Sequence, residues 1–233
     1  MFSLKLNSCT NFIQTCALCG TRDSHVHGLC ESCHADLPWL VHACPCCALP
    51  LARQDSGPCP HCVQTPPMFH KVQAAFSYSF PISALIPAIK YQQQPVHLGW
   101  LSAVMGDFLR QRHEGPWPDA LLPIPMHNLS LMHRGYNQAE LLAHRLGALL
   151  QIPLCSSLKK TRRTPKQMAL NLDARRTNLD GAFKLDAALP KHVALVDDVM
   201  TTGTTVSTLT RLLLEQGCEQ VDVWVLARTP ENR

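Results

Sequence analysis

Hydrophobic and polar positions fall into two regimes along this chain, and the change comes near residue 66. Beyond it, periods of two and of three to four residues alternate. Residues 72–78 (Val-Gln-Ala-Ala-Phe-Ser-Tyr) have strand character. Residues 81–90 read as a helix interrupted by Pro87. Over 98–112, Leu98, Leu101, Met105, Phe108 and Leu109 share one helical face. Gly115-Pro-Trp-Pro118 ends that pattern. A short apolar strand at 120–125 follows, and then a helix to about residue 150 striped by Leu141, Leu142, Leu146, Leu149 and Leu150. Residues 152–155 form a second candidate strand, 159–176 are polar, and 181–185 are mixed. An apolar, β-branched strand from Val193, a helix over 206–216 closed by Gly217, and a strand over 221–226 complete the series. This alternation predicts an α/β fold with a mainly parallel sheet flanked by helices. Residues 16–65 lack such periods and hold few branched apolar side chains, and Pro66-Pro67 reads as a stiff joint. The expected division is therefore 1–66 and 67–233.

The richest chemistry lies where the strand at 193 ends. Asp197 and Asp198 are followed by Thr201, Thr202, Gly203, Thr204 and Thr205 at the start of a helix. Such a unit presents its loop at the carboxyl edge of a parallel sheet, where open α/β folds bind ligands. Two adjacent carboxylates suit the paired hydroxyl donors of a ribose. Hydroxyls, backbone N–H groups and a helix N-terminus suit a phosphate dianion. A buried strand with a capped helix accounts for the apolar run, but not for tandem acids beside a hydroxyl-rich loop. The pattern resembles the 5-phosphoribosyl-1-pyrophosphate (PRPP) signature of type I phosphoribosyltransferases.

Composition changes the picture of the first regime. Hydrophobic residues make up 46% of the 233, enough for a core, and no run of about 18 apolar residues could span a bilayer. The first residues lack the apolar segment of a secretory signal, so a cytoplasmic protein is expected. In a reducing compartment, twelve cysteines argue for metal rather than disulfides. Cys16, Cys19, Cys30 and Cys33 form two CxxC knuckles, and Cys44, Cys47, Cys59 and Cys62 form two more. Two knuckles supply the four thiolates of a tetrahedral structural zinc, so two zincs are expected in an N-terminal cysteine-rich module. Sequential and interleaved pairings use the same residues, and spacing does not choose between them. Cys46 falls inside the third knuckle and is left out. Metal must supply much of the stability that this segment's sparse apolar content does not.

Zinc also alters the charge balance. The formal net charge is +4, but eight thiolates and two Zn²⁺ bring the metallated chain near zero. Local charge matters more. Lys159, Lys160, Arg162, Arg163, Lys166, Arg175 and Arg176 cluster between residues 159 and 176, opposed only by Asp173. Within it, Lys160, Arg162, Arg163 and Lys166 are candidates for a lid over an anionic substrate or a contact to nucleic acid. A solvated charged loop would look the same. Arg134, in Arg-Gly-Tyr-Asn-Gln before a helix, is a candidate for holding pyrophosphate. Equally, Asn137 would cap that helix and leave Arg134 in solvent.

Taken together the motifs resemble the ComF family, its GntX-like DNA-utilisation members in particular. The resemblance joins the CxxC module, the proline joint and Arg134-Gly135-Tyr136-Asn137-Gln138. It continues through Arg163, Thr164 and Gln167, Arg175 and Asn178, and the signature from Val196 to Thr205, with Met200 at its variable position. It implies a type I phosphoribosyltransferase fold that binds PRPP with magnesium, and a role in natural transformation or in the use of DNA as nutrient. Two classes of function stay open at this level. One is an active phosphoribosyltransferase. The other is a catalytically silent module that senses PRPP, binds single-stranded DNA or binds partner proteins such as the DNA-uptake machinery.

Overall fold

The computed structural model describes residues 15–22, 25–52, 57–162 and 181–230. They belong to two compact units, Met1–Leu37 and Pro38–Arg233.

The first unit is small. Strands β1 (His25–Val26) and β2 (Leu29–Cys30) pair antiparallel, with Val26 opposite Leu29, and helix α1 (Glu31–Ala35) follows at once. The Cys30 sulfur caps α1 by accepting the Cys33 N–H at 3.5 Å. A tight turn brings the Gly20 N–H to the Cys16 carbonyl at 2.9 Å. No residue of α1 is buried, so the unit has little apolar surface to hold it together.

The second unit carries α2 (Pro60–Gln64), β3 (Val72–Ser77), α3 (Ile82–Tyr91), α4 (His97–Arg112), β4 (Ala120–Pro123), α5 (Asn128–Arg134) and α6 (Gln138–Leu150). It continues with β5 (Leu158–Lys160), β6 (Phe183–Leu185), β7 (His192–Met200), α7 (Thr204–Glu215) and β8 (Gln220–Arg228). The main sheet has the order β3–β8–β7–β4, and every pairing is parallel. β7 and β8 match from His192 opposite Gln220 to Met200 opposite Arg228. Their near-continuous apolar sequences suit strands covered on both faces. One face packs against α4 and α6. On the other, Val193, Leu195, Val223 and Val225 join Val206, Leu209 and Leu213 of α7 in one core with Cys44, Cys47, Cys59 and Cys62.

That last association separates the two cysteine quartets. The second quartet shares a compact unit with the sheet. The backbone ties it in, because Val72 donates to the Cys46 carbonyl at 2.9 Å and Leu40 donates to Ala75 at 2.9 Å. Buried Leu40, Ala48 and Leu49 add apolar surface that the first unit lacks.

The other expected elements are present with local differences. α3 continues past Pro87, which has no N–H to give to the helix. Residues 152–155 make only a bridge, in which Leu121 donates to Pro153 and Cys155 donates to Leu121, both at 2.9 Å. The short helix α5 was not anticipated, and none of its residues is buried. Lys160 and Phe183 are register partners in the antiparallel β5–β6 ribbon.

Candidate ligand site at the carboxyl edge of the sheet

The two acids sit near the carboxyl end of β7, and the chain then turns through residues 201–203 into α7. Gly203 takes φ +76°, a left-handed conformation that side chains disfavour, and a Cβ there would come within 2.5 Å of the Met200 methyl. Thr201 and Thr202 are exposed, and the Thr202 and Thr204 hydroxyls lie 2.9 Å apart. α7 begins without a side-chain cap, and a helix N-terminus is a setting suited to an anion.

The acids differ in environment. Asp198 is buried and pairs with Lys90 of α3, Nζ to Oδ1 at 2.8 Å. Asp197 is half-buried and accepts the Asp198 N–H at 2.8 Å. Burial and the neighbouring Asp198 charge push the Asp197 carboxyl up to about 7, with Lys90 working against them. Burial opposes the charge on Lys90, but attraction to Asp198 and Asp197 wins and holds it above its ordinary range. A second cation approaches from β5, where burial lowers Lys160 below the usual lysine range while Asp197 draws it up. The Lys160 ammonium also lies 5.5 Å from the centre of the Phe183 ring.

Lys90 is the site residue that reading the sequence missed. A signal was present. Ile82, Ile86 and Lys90 follow one another at intervals of four, and both isoleucines are buried. A lysine on an apolar helical stripe needs an acid to meet it.

Arg134 ends α5, just beyond the strand that neighbours β7. Its Nη1 donates to Gln138 Oε1 at 2.7 Å, and its guanidinium lies 5.4 Å from the Tyr91 ring centre. Asn137 does cap α6, accepting the Ala139 N–H at 3.1 Å and donating to the Ile124 carbonyl at 3.1 Å. Gln138 is buried, and its Nε2 has no partner among the described residues. A buried donor left unsatisfied beside an arginine is chemistry that an oxyanion would complete. Arg162 is exposed at the end of the described segment, and Arg163 and Lys166 lie outside the described residues.

Both cysteine quartets assemble sequentially, which settles the pairing. Cys16, Cys19, Cys30 and Cys33 form one group and Cys44, Cys47, Cys59 and Cys62 the other, with all sulfurs in each group within 4.8 Å of one another. Sulfurs from opposite knuckles, Cys19 with Cys30 and Cys47 with Cys59, stand 3.7 Å apart. A tetrahedron of thiolates about 2.3 Å from zinc has an edge of about 3.8 Å. The donor sets and their spacing fit two structural zinc sites.

Comparison with known proteins decides the family. Competence protein F of Haemophilus influenzae is 33% identical over 214 residues, covering 87% of this chain and 91% of that protein. The chain belongs to the ComF family. DNA utilization protein YhgH of Salmonella typhi is another ComF relative, 33% identical over 210 residues with the same coverage of both chains. Competence protein ComFC of Bacillus subtilis is 25% identical over 206 residues, covering 81% of this chain and 79% of its own. Within this ComF chain, residues 12–63 match the double zinc ribbon domain and residues 129–233 the phosphoribosyl transferase domain. The fold is accordingly phosphoribosyltransferase-like, with a parallel sheet between helices and a cysteine-rich zinc ribbon ahead of it. Lys90 lies outside both matched segments, although the fold delivers it to the signature acids. No described helix is long and apolar enough to cross a membrane.

Proposed function

We propose that this ComF protein binds PRPP with Mg²⁺ at the carboxyl edge of its sheet and serves DNA uptake or the use of DNA as nutrient. The observation that carries the reading is the run of β7 from Asp197 and Asp198 into the threonine loop at the start of α7. The acids accept the ribose hydroxyls, and Lys90 occupies Asp198 Oδ1 while leaving the second oxygen for a hydroxyl. Residues 201–205 surround the 5′-phosphate with hydroxyls and backbone N–H groups. Arg134 meets the pyrophosphate, with Gln138 Nε2 beside it as a further donor. Bound Mg²⁺ supplies charge neutralisation for the diphosphate. If ribose is transferred, the chain's own part is to fix the diol and phosphate and to stabilise charge as pyrophosphate departs. Names given to relatives, competence protein F and DNA utilization protein, support the physiological half.

Calorimetric titration of Mg–PRPP into the wild-type protein and into the Asp197→Asn/Asp198→Asn variant tests the site. An affinity loss of at least about 100-fold is expected from two charged acceptors removed at once. Equal affinity would falsify the assignment. A screen of nucleobases for pyrophosphate release then separates the classes. Release with one acceptor identifies a transferase, and silence across the set identifies a PRPP-responsive module. The candidate nucleic-acid role of Lys160, Arg162, Arg163 and Lys166 predicts single-strand affinity that falls steeply with salt.

A further inference from the structure

Arg228 closes β8 and is 6% exposed. An arginine so placed keeps its charge, and among the described residues no carboxylate pairs with it. Its donors go instead to four backbone carbonyls. Nε reaches Cys47 O at 3.1 Å, and Nη1 reaches Met200 O at 3.2 Å, Thr229 O at 3.0 Å and Thr201 O as well. Cys47 is a member of the second thiolate quartet, while Met200 and Thr201 are the residues on which the chain leaves β7 for the threonine loop. One guanidinium therefore bridges a metal knuckle and the entry to the ligand loop. Four thiolates around one Zn²⁺ carry two net negative charges, which supply the counter-charge that carbonyls alone do not.

Thr201 and Thr202 are exposed, and the Thr201 carbonyl accepts from Arg228. The backbone bond from Thr229 to Met200 O at 3.1 Å anchors the strand one residue earlier.

We infer that Arg228 is a positioning residue, which holds the loop of residues 201–203 in place only while the second cysteine quartet is assembled on its metal. The inference deepens the PRPP reading and rests on it for its consequence, ligand affinity, though not for the coupling itself. A planar fork matters here, because lysine offers one ammonium to carbonyls that diverge.

Backbone amide order parameters of the full, zinc-loaded protein give a test that needs no ligand. In Arg228→Met, those of Thr201, Thr202 and Gly203 should fall by at least about 0.2 from the wild-type values, toward the flexible range. Zinc content should stay at two per chain, and the amides of Val223 and Val225 should stay rigid. A general loss of structure would loosen those strand amides too. Arg228→Lys should loosen the loop to a lesser degree, and it carries the comparison if the methionine variant does not fold. Removing zinc from the wild type with a chelator should loosen the same three amides. A loop that keeps its wild-type order in the variants, or after loss of the second zinc, overturns the inference. Mg–PRPP titration completes the experiment, with affinity expected to fall at least about tenfold in Arg228→Met. Absence of binding by the wild type would refute the PRPP reading, while the order parameters would still decide the coupling.

Discussion

The two cysteine quartets have the same spacing chemistry and different surroundings. In the first, Cys19 is exposed and Cys33 partly so, and the adjoining helix buries nothing. In the second, all four thiols are buried and share a core with α7 and the middle of the sheet. A metal site of the first kind holds up only itself. One of the second kind is part of the packing of the larger fold, so losing its metal opens a hole beneath the strands that carry the acids.

The largest effect that could break this contrast comes from deleting one ligand in each quartet. Cys62→Ser should destabilise the sheet unit by about 3–5 kcal/mol, the scale of a lost core group combined with a lost metal ligand. Cys19→Ser should leave the same unit within about 0.5 kcal/mol of wild type. Denaturant unfolding followed by the fluorescence of Trp100 and Trp224 reads this, since both lie in that unit. Equal losses would show that the quartets are equivalent after all.

A smaller effect sharpens the contrast from within the sheet unit. Lys90→Met removes the partner of buried Asp198 and should lower stability by about 2–3 kcal/mol at pH 8, discounted for the lysine's partial exposure. Paired with Cys19→Ser, the loss should be additive, because the two sites lie in separate compact units. A coupling energy above about 0.5 kcal/mol in that double-mutant cycle would contradict the independence of the first quartet.

The smallest effect is a gain. Burial and the Asp198 charge hold the Asp197 carboxyl up at about 7 in the fold, against an ordinary 3.8. The folded chain therefore retains a proton that the unfolded chain has lost as pH rises through that window, and stability falls across it. Asp197→Asn should raise unfolding free energy by about 1–3 kcal/mol at pH 8 and change it little at pH 4. The same ionisation should govern the ligand, so that Mg–PRPP affinity weakens as pH drops below about 7. Urea titrations at the two pH values and calorimetry across the range check both. An Asn variant less stable at pH 8 would show that the carboxylate is welcome where it stands.

The sequence was most informative where chemistry is local. Asp197, Asp198 and residues 201–205 lie within nine positions, and their strand–loop–helix setting follows from periodicity alone. The eight ligand cysteines are equally local, in knuckles of four residues. What was hidden depends on distant packing. Lys90 meets Asp198 across more than a hundred residues, and only the fold joins α3 to β7. The second quartet's place in the sheet core was invisible because spacing specifies a metal and not what the metal knuckle leans on. Helix α5 escaped because Leu129 and Met132 are exposed, so its apolar residues mark no buried stripe. Residues 152–155 looked like a strand from composition and make only one bridge, at Leu154.

The sheet order has a consequence for how the molecule is made. β8 lies between β3 and β7, yet it is the last of the four strands to leave the ribosome. Until it arrives β3 has no hydrogen-bonded neighbour on the sheet, and the edge of β7 that β8 will pair with stays open. The nascent chain thus carries open templates for strand pairing from the emergence of β3 until β8 follows, and its aggregation hazard is concentrated in that interval.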